Sequence, residues 1–272
     1  MRRSTNRTWF HMVLGLFFLA LMLFPVYWMV NASLQPGVAT VDLSWFPVRP
    51  SLDGYRSAFA SQGANLVTSL VVAVGATVLS LVISTPAAYA LSLYRVRGSG
   101  LVMFALLISQ MIPGIVIANA LYSAYNDLGI LNTTLGLILA DSALGVPFSI
   151  LIIQAFIRAI PMSVLEAARV DGAGRFRTFF SIVLPLSTNA VITAALFSFL
   201  FAWSDFLFAL TLNSNSAARP VTLGIYQFIG GYVADWGSVM ATATMASLPA
   251  AVLLVVAQKY VAAGATGGAV KA

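Results

Sequence analysis

The chain has 272 residues, 60% of them hydrophobic and only 8% charged, with a mean hydropathy of +0.93. A soluble domain carries about 25% charged residues, so a water-exposed globular protein is excluded and an all-α membrane protein is expected. Cysteine is absent and His11 is the single histidine, which removes disulfides, thiolate catalysis, His/Cys metal sets and a Ser-His-Asp triad.

The first apolar run, 9–30, follows Arg2, Arg3 and Arg7. It is too long for the core of a cleaved signal and reads as a retained helix bent near Pro25. The segment 35–65 contains Trp45-Phe46-Pro47 and Pro50 and reads as an ordered loop with an interfacial tryptophan anchor. Further runs follow at 66–93, 101–125, 134–157, 189–212 and 239–261. Each is long enough for a hydrocarbon core about 30 Å thick. Their apolar residues are continuous rather than alternating, which argues against strands.

The basic residues set the expected orientation. With the N-terminus inside, the inner segments hold Arg2, Arg3, Arg7, Arg95, Arg97, Arg158, Arg169, Arg175, Arg177, Lys259 and Lys271. The outer loops hold only Arg49, Arg56 and Arg219 of the 14 Lys and Arg. This asymmetry predicts six spans with both termini in the cytoplasm. It also accounts for the net charge of +6 without a nucleic-acid surface, since basic and aromatic residues form no single patch.

The longest inner connection contains IPMSVLEAARVDGAGRFRTFFSIVLPLS, residues 160–187. Pro161 suits a helix start, and Ser163 with Glu166 has the spacing of a capping box. Gly172 and Gly174 offer a stop. A second amphipathic segment is expected to carry Phe176, Phe179, Phe180 and Val183 on one face, with Pro185 ending or bending it. A helix-turn-helix outside the lipid and too short to be a domain needs a partner surface.

Glu166-Ala167-Ala168, Asp171-Gly172-Ala173, Ile182 and Leu184-Pro185 resemble the EAA loop of ABC importer permeases. The resemblance extends along the chain through Leu128-Gly129-Ile130-Leu131-Asn132-Thr133, Trp203-Ser204-Asp205-Phe206-Leu207, Pro220-Val221-Thr222-Leu223-Gly224 and Trp236-Gly237-Ser238. The tail from Gly264 to Ala272 is similar to the closing segment of maltose-type carbohydrate permeases. The chain departs from that group at Ala120, Ser204 and Ala272, where proline, asparagine and glycine are usual.

The resemblance implies a type I permease fold, with the core at 66–261, the EAA loop at 161–185 and a cytoplasmic tail at 262–272 following an N-terminal helix and outer loop at 1–65. It implies a non-enzymatic subunit in the inner membrane that forms half of a sugar pathway. Its implied partners are a second permease, two ATP-binding subunits that carry ATP and Mg, and an extracytoplasmic binding protein. In agreement, the chain has no G-x-x-x-x-G-K-[ST] phosphate loop. Glu166, Ala167, Ala168, Asp171, Gly172, Ala173, Leu184 and Pro185 are then the coupling candidates. Thr266, Gly267, Gly268 and Lys271 are candidates for a tail contact with the ATPase.

Polar and aromatic groups within spans mark pathway candidates: Gln110, Asn119, Asp141, Trp203, Asp205 and Tyr226. For Asp141 and Asp205 a structural role stands beside this one, and for Trp203 and Tyr226 an interfacial role stands beside sugar stacking. Other solutes, such as a glycerophosphodiester, polyol or peptide, remain alternatives. An ion-driven carrier would show repeated halves and intramembrane charge pairs; no repeat is visible in the sequence. The absence of cysteine makes the topology directly testable. A cysteine replacing Ser51 is expected to react with an impermeant maleimide from outside, and one replacing Ser99 only from inside; the reverse pattern would invert the orientation.

Overall fold

Residues 3–35, 44–94, 96–213, 215, 218–229 and 236–267 are described by a computed structural model, and they form helices with no strand. Arg2, Arg95, Gly268 and Lys271 lie outside the described residues. Helix α1 (Arg3–Ser33) runs unbroken through Pro25. Helix α2 (Asp53–Leu93) spans 41 residues, about 60 Å at 1.5 Å per residue, twice the hydrocarbon thickness. It begins well before the apolar run expected from the sequence. Its first turns are polar, so hydropathy hides them. Ser51 Oγ accepts the Asp53 amide at 3.0 Å and Asp53 pairs with Arg56 at 3.3 Å, a start signal inside what reads as loop.

The third apolar run is broken. Helix α3 (Ser99–Ser109) ends at Gln110, and α4 (Gly114–Leu128) starts after Pro113, bent by 99° from α3. Pro113 forces Ile112 out of the α region and cannot donate to a continuing helix. Helix α5 (Thr134–Arg158) is capped by Thr133, whose Oγ1 accepts the Gly136 amide at 3.0 Å. Short helices α6 (Met162–Val170) and α7 (Arg175–Thr178) lead through a π-helical turn, Phe179–Val183, into α8 (Leu184–Leu186). Helix α9 (Thr188–Ser204) follows, with a 75° bend between the 175–186 segment and α9. The fifth run also breaks, at Asp205-Phe206, before α10 (Leu207–Leu212). Helices α11 (Val221–Ile229) and α12 (Trp236–Gly267) complete the order. Among the described residues, four helices are long and apolar enough to cross a membrane, or up to six if each bent pair is one span.

The chain divides into two units. One takes in residues 1–63 and 225–248. Within it, Asn31 donates to the Ser44 carbonyl at 2.8 Å, Ser33 and Tyr55 share a hydroxyl hydrogen bond of 2.7 Å, and Trp45 packs edge-on against Trp28 at 5.6 Å. The Trp45 segment is therefore ordered against the end of α1, as its aromatic content suggested.

The other unit takes in residues 64–224 and 249–272. Helices α5 and α9 form its centre, and small residues bring its helices together. A Cβ placed on Gly145 would lie 2.5 Å from Ser80 Oγ of α2 and 3.3 Å from Ser198 Oγ of α9. One turn on, Ser149 and Ser198 hydroxyls are 3.1 Å apart. In lipid, where no hydrophobic force draws helices together, such close approach supplies the packing and hydrogen bonds that hold them. Gly145→Val is expected to cost about 1–3 kcal/mol by overpacking, read as a lowered thermal midpoint in detergent. Gly100→Ala, where nothing lies within 4 Å of the new methyl, serves as the neutral control; equal midpoints would remove Gly145 from the packing argument.

Candidate functional site: the 161–187 loop

Pro161 is the N-cap of α6, with φ −58° and ψ 135°, and no side chain caps the helix. Ser163 therefore falls inside the first turn, and the capping box expected between Ser163 and Glu166 does not form. The far end follows the sequence closely. Gly172 takes φ +75°, the Gly172 amide donates to the Arg169 carbonyl at 3.1 Å, and Ala173 donates to Ala168 at 2.9 Å. This is a Schellman stop, and its left-handed residue favours glycine.

Helix α6 has two faces. Leu165 and Ala168 are buried, and Leu165 belongs to a cluster with Tyr89 of α2, Ile153 and Ile157 of α5, and Phe179 and Val183 of the π turn. Glu166, Ala167 and Asp171 are exposed on the opposite side. Glu166 makes no ion pair among the described residues. Val170 and Phe176 are 87% and 83% exposed.

The second segment departs from the expected single face. Phe179 and Val183 are buried, while Phe176 and Phe180 are exposed. Three of the four, Phe179, Phe180 and Val183, lie in the π turn itself, which adds a residue to the helical repeat. It sits where Pro185 would press its ring on the Ser181 carbonyl in a regular α-helix. The chain then bends at Ser187, as Pro185 led one to expect.

Sequence reasoning missed what anchors the loop. Tyr89 Oη donates to the Arg175 carbonyl at 3.0 Å across 86 positions, and its ring lies 5.0 Å from that of Phe179. Tyr94 shares a 3.0 Å hydrogen bond with Tyr89 and carries the Arg175 guanidinium 5.0 Å over its ring. The only signal was two tyrosines near the end of an apolar run, where interfacial aromatics are common.

The pathway candidates occupy varied settings. Gln110 and Asn119 are exposed on either side of the α3–α4 break, and Asp141 is buried on α5. Asp205 caps α10, accepting the Phe208 and Ala209 amides at 3.2 and 3.0 Å. Trp203 is buried and stacks on Phe199 at 5.6 Å, so that ring face is taken by the chain itself. Tyr226 is 49% exposed on α11. Thr266 and Gly267 lie in the last turn of α12, which continues into the segment read as tail.

Residues 80–266 match the family described as binding-protein-dependent transport system inner membrane components. The chain belongs to this family. It is 32% identical to a trehalose transport permease of Mycobacterium tuberculosis, over 98% of this chain and 99% of that one. It is 32% identical to a sulfoquinovosyl glycerol permease of Agrobacterium fabrum, over 92% and 89%, and 30% identical to a diacetylchitobiose uptake permease of Streptomyces coelicolor, over the full length of both. Its fold is that of a bacterial ABC transporter chain involved in alginate import, with TM-score 0.81 and 22% identity over 96% and 98% of the two chains. The chain is thus an inner-membrane permease of this family, with several helices able to cross the bilayer.

The anchoring yields a direct expectation. Tyr89→Phe removes the hydrogen bond to the Arg175 carbonyl, worth about 1 kcal/mol, together with the one shared with Tyr94, and keeps the ring. Amide exchange at Thr178 should rise roughly fivefold; unchanged exchange would show that the Tyr89 hydroxyl does not hold the loop.

Proposed function

We propose that this permease forms half of the pathway of a binding-protein-dependent importer for a sugar or oligosaccharide and is driven through its 161–185 loop by an ATP-binding subunit. The observation that carries the coupling part is the two-faced α6. Its buried side is tied to α2, α5 and the π turn, while Glu166, Ala167 and Val170 stand exposed on the other side. A partner gripping the exposed side would move three elements together. The relatives in trehalose and diacetylchitobiose uptake support the substrate class; the broader class of polyols, glycerophosphodiesters and peptides is the second reading.

In this reading both termini are cytoplasmic, α3 with α4 counts as one span, α9 with α10 makes the fifth, and the spans number six. ATP and Mg belong to two partner subunits, a second permease completes the pathway, and a binding protein delivers solute. A solved alginate transporter in complex with a pentasaccharide-bound periplasmic protein, with TM-score 0.67 to this chain, supports delivery by a binding protein. Glu166 meets a cation of the ATPase, Ala167 and Ala168 keep the contact close, and Asp171, Gly172 and Ala173 turn the chain away. Leu184 and Pro185 pass the displacement to α9. Closure of the ATPase pair then shifts the spans between inward-facing and outward-facing states, which requires different contacts with the loop in each. The end of α12 and the residues beyond it, including Thr266, Gly267, Gly268 and Lys271, make a second contact with the ATPase.

The test is reconstitution of the assembled transporter in liposomes with a binding protein and a labelled disaccharide. Wild type is expected to take up sugar on ATP addition. Glu166→Lys is expected to lower uptake at least about tenfold, the effect of roughly 1.4 kcal/mol of lost coupling, with ATPase activity no longer responding to loaded binding protein. Full uptake and normal stimulation in this variant would remove Glu166 from the coupling contact, and uptake of a peptide rather than a sugar would move the substrate class.

A further inference from the structure

Two cavities meet beside the loop and share Tyr89, Tyr94 and Arg175. The larger, about 800 Å³, is lined along α2 from Tyr94 past Pro86 to Leu81 and bounded on the other side by Phe180 and Leu184. The smaller, about 390 Å³, holds Arg169 together with Arg175. One is a hydrocarbon groove, and the other is a basic recess at its mouth.

The dimensions are informative. From Leu81 to Tyr94, α2 rises about 20 Å, which covers the roughly 15 Å of hydrocarbon in one leaflet and reaches the headgroup level. At that level lie two tyrosines and two guanidinium groups. Among the described residues, neither Arg169 nor Arg175 has a carboxylate within ion-pair distance. Two unneutralised cations at the mouth of an apolar groove one leaflet deep are complementary to an amphiphile with an anionic head and a hydrocarbon tail. A helix from a protein partner would match the groove but would leave the guanidinium pair without counter-charge unless it brought its own acid.

We propose that this groove holds one anionic phospholipid of the inner leaflet. Its phosphate sits between Arg169 and Arg175, and one acyl chain lies along α2 toward Leu81. The proposal rests on the cytoplasmic placement of the loop given above. The lipid adds to the anchoring of the loop that Tyr89 provides from the protein side, so occupancy stiffens the joint between α6 and α2.

The experiment is native mass spectrometry of the assembled transporter, loaded with phosphatidylglycerol or phosphatidylcholine of identical acyl chains. Wild type is expected to retain phosphatidylglycerol roughly 30-fold better, as two cationic groups imply. The double variant Arg169→Gln/Arg175→Gln should reduce that preference to about one. Val82→Trp, at a 66% exposed position lining the groove, should lower retention of both lipids. Equal retention of the two lipids by wild type, or a preference unchanged in the double variant, would overturn the proposal. So would unchanged retention of both lipids in Val82→Trp, since the acyl chain would then lie elsewhere. Bound lipid is counted whether or not the complex transports, so this outcome is independent of the uptake assay.

Discussion

The close approach of helices around Gly145 is the constraint on which the larger unit depends. With no side chain at that position, Ser80 of α2 and Ser198 of α9 reach the surface of α5, and the Ser149–Ser198 hydroxyl pair is satisfied in the same contact. Larger residues would hold these helices apart and leave polar groups facing hydrocarbon, at a cost of several kcal/mol each in the absence of partners. Given that contact, Ile153 and Ile157 of α5 and Ala190 and Ala194 of α9 close into one cluster near the loop. Leu165 of α6 then has a buried seat to occupy. Helix α6 is therefore seated on the packed helices rather than suspended by its flanking chain.

Several polar residues in the segments that carry the family resemblance do backbone work. Asn132 takes φ 61° and receives the Asn215 amide at 2.9 Å. Thr133 caps α5, Asp205 caps α10, and Thr222 donates to the Asp205 carbonyl at 2.6 Å. Breaks in helices expose amides and carbonyls that lipid cannot satisfy. These side chains sit at such breaks, which explains their residue types without appeal to a solute.

What was legible in the sequence divides along the same line. Long apolar runs announced α1, α5 and α12, and the EAA pattern announced the loop and its glycine stop. The break at Pro113 was hidden because the residues on both sides are equally apolar, so hydropathy reads straight through it. The start of α2 was hidden for the opposite reason, being helical but polar. The capping box failed because Pro161 already terminates the helix two residues before Ser163. The aromatic face failed because a regular 3.6-residue repeat cannot foresee a π turn. The anchoring by Tyr89 was invisible because its partner lies 86 positions away and is a backbone carbonyl, which carries no residue signature. Trp203 looked like an interfacial or sugar-facing ring, and only the packing shows Phe199 stacked against it.

The π turn at Phe179–Val183 fixes a phase as well as making room for a proline. One residue in an α-helix corresponds to about 100° of rotation and 1.5 Å of rise. Removing a single residue from the turn would leave α6 seated where it is, yet turn the chain entering α9 to present a different side to α5. The angular register between the loop and the span that follows it is thus carried by one supernumerary residue. Insertions and deletions in this short stretch act as rotations, unlike those in the surface loops, where added length is absorbed without consequence for direction.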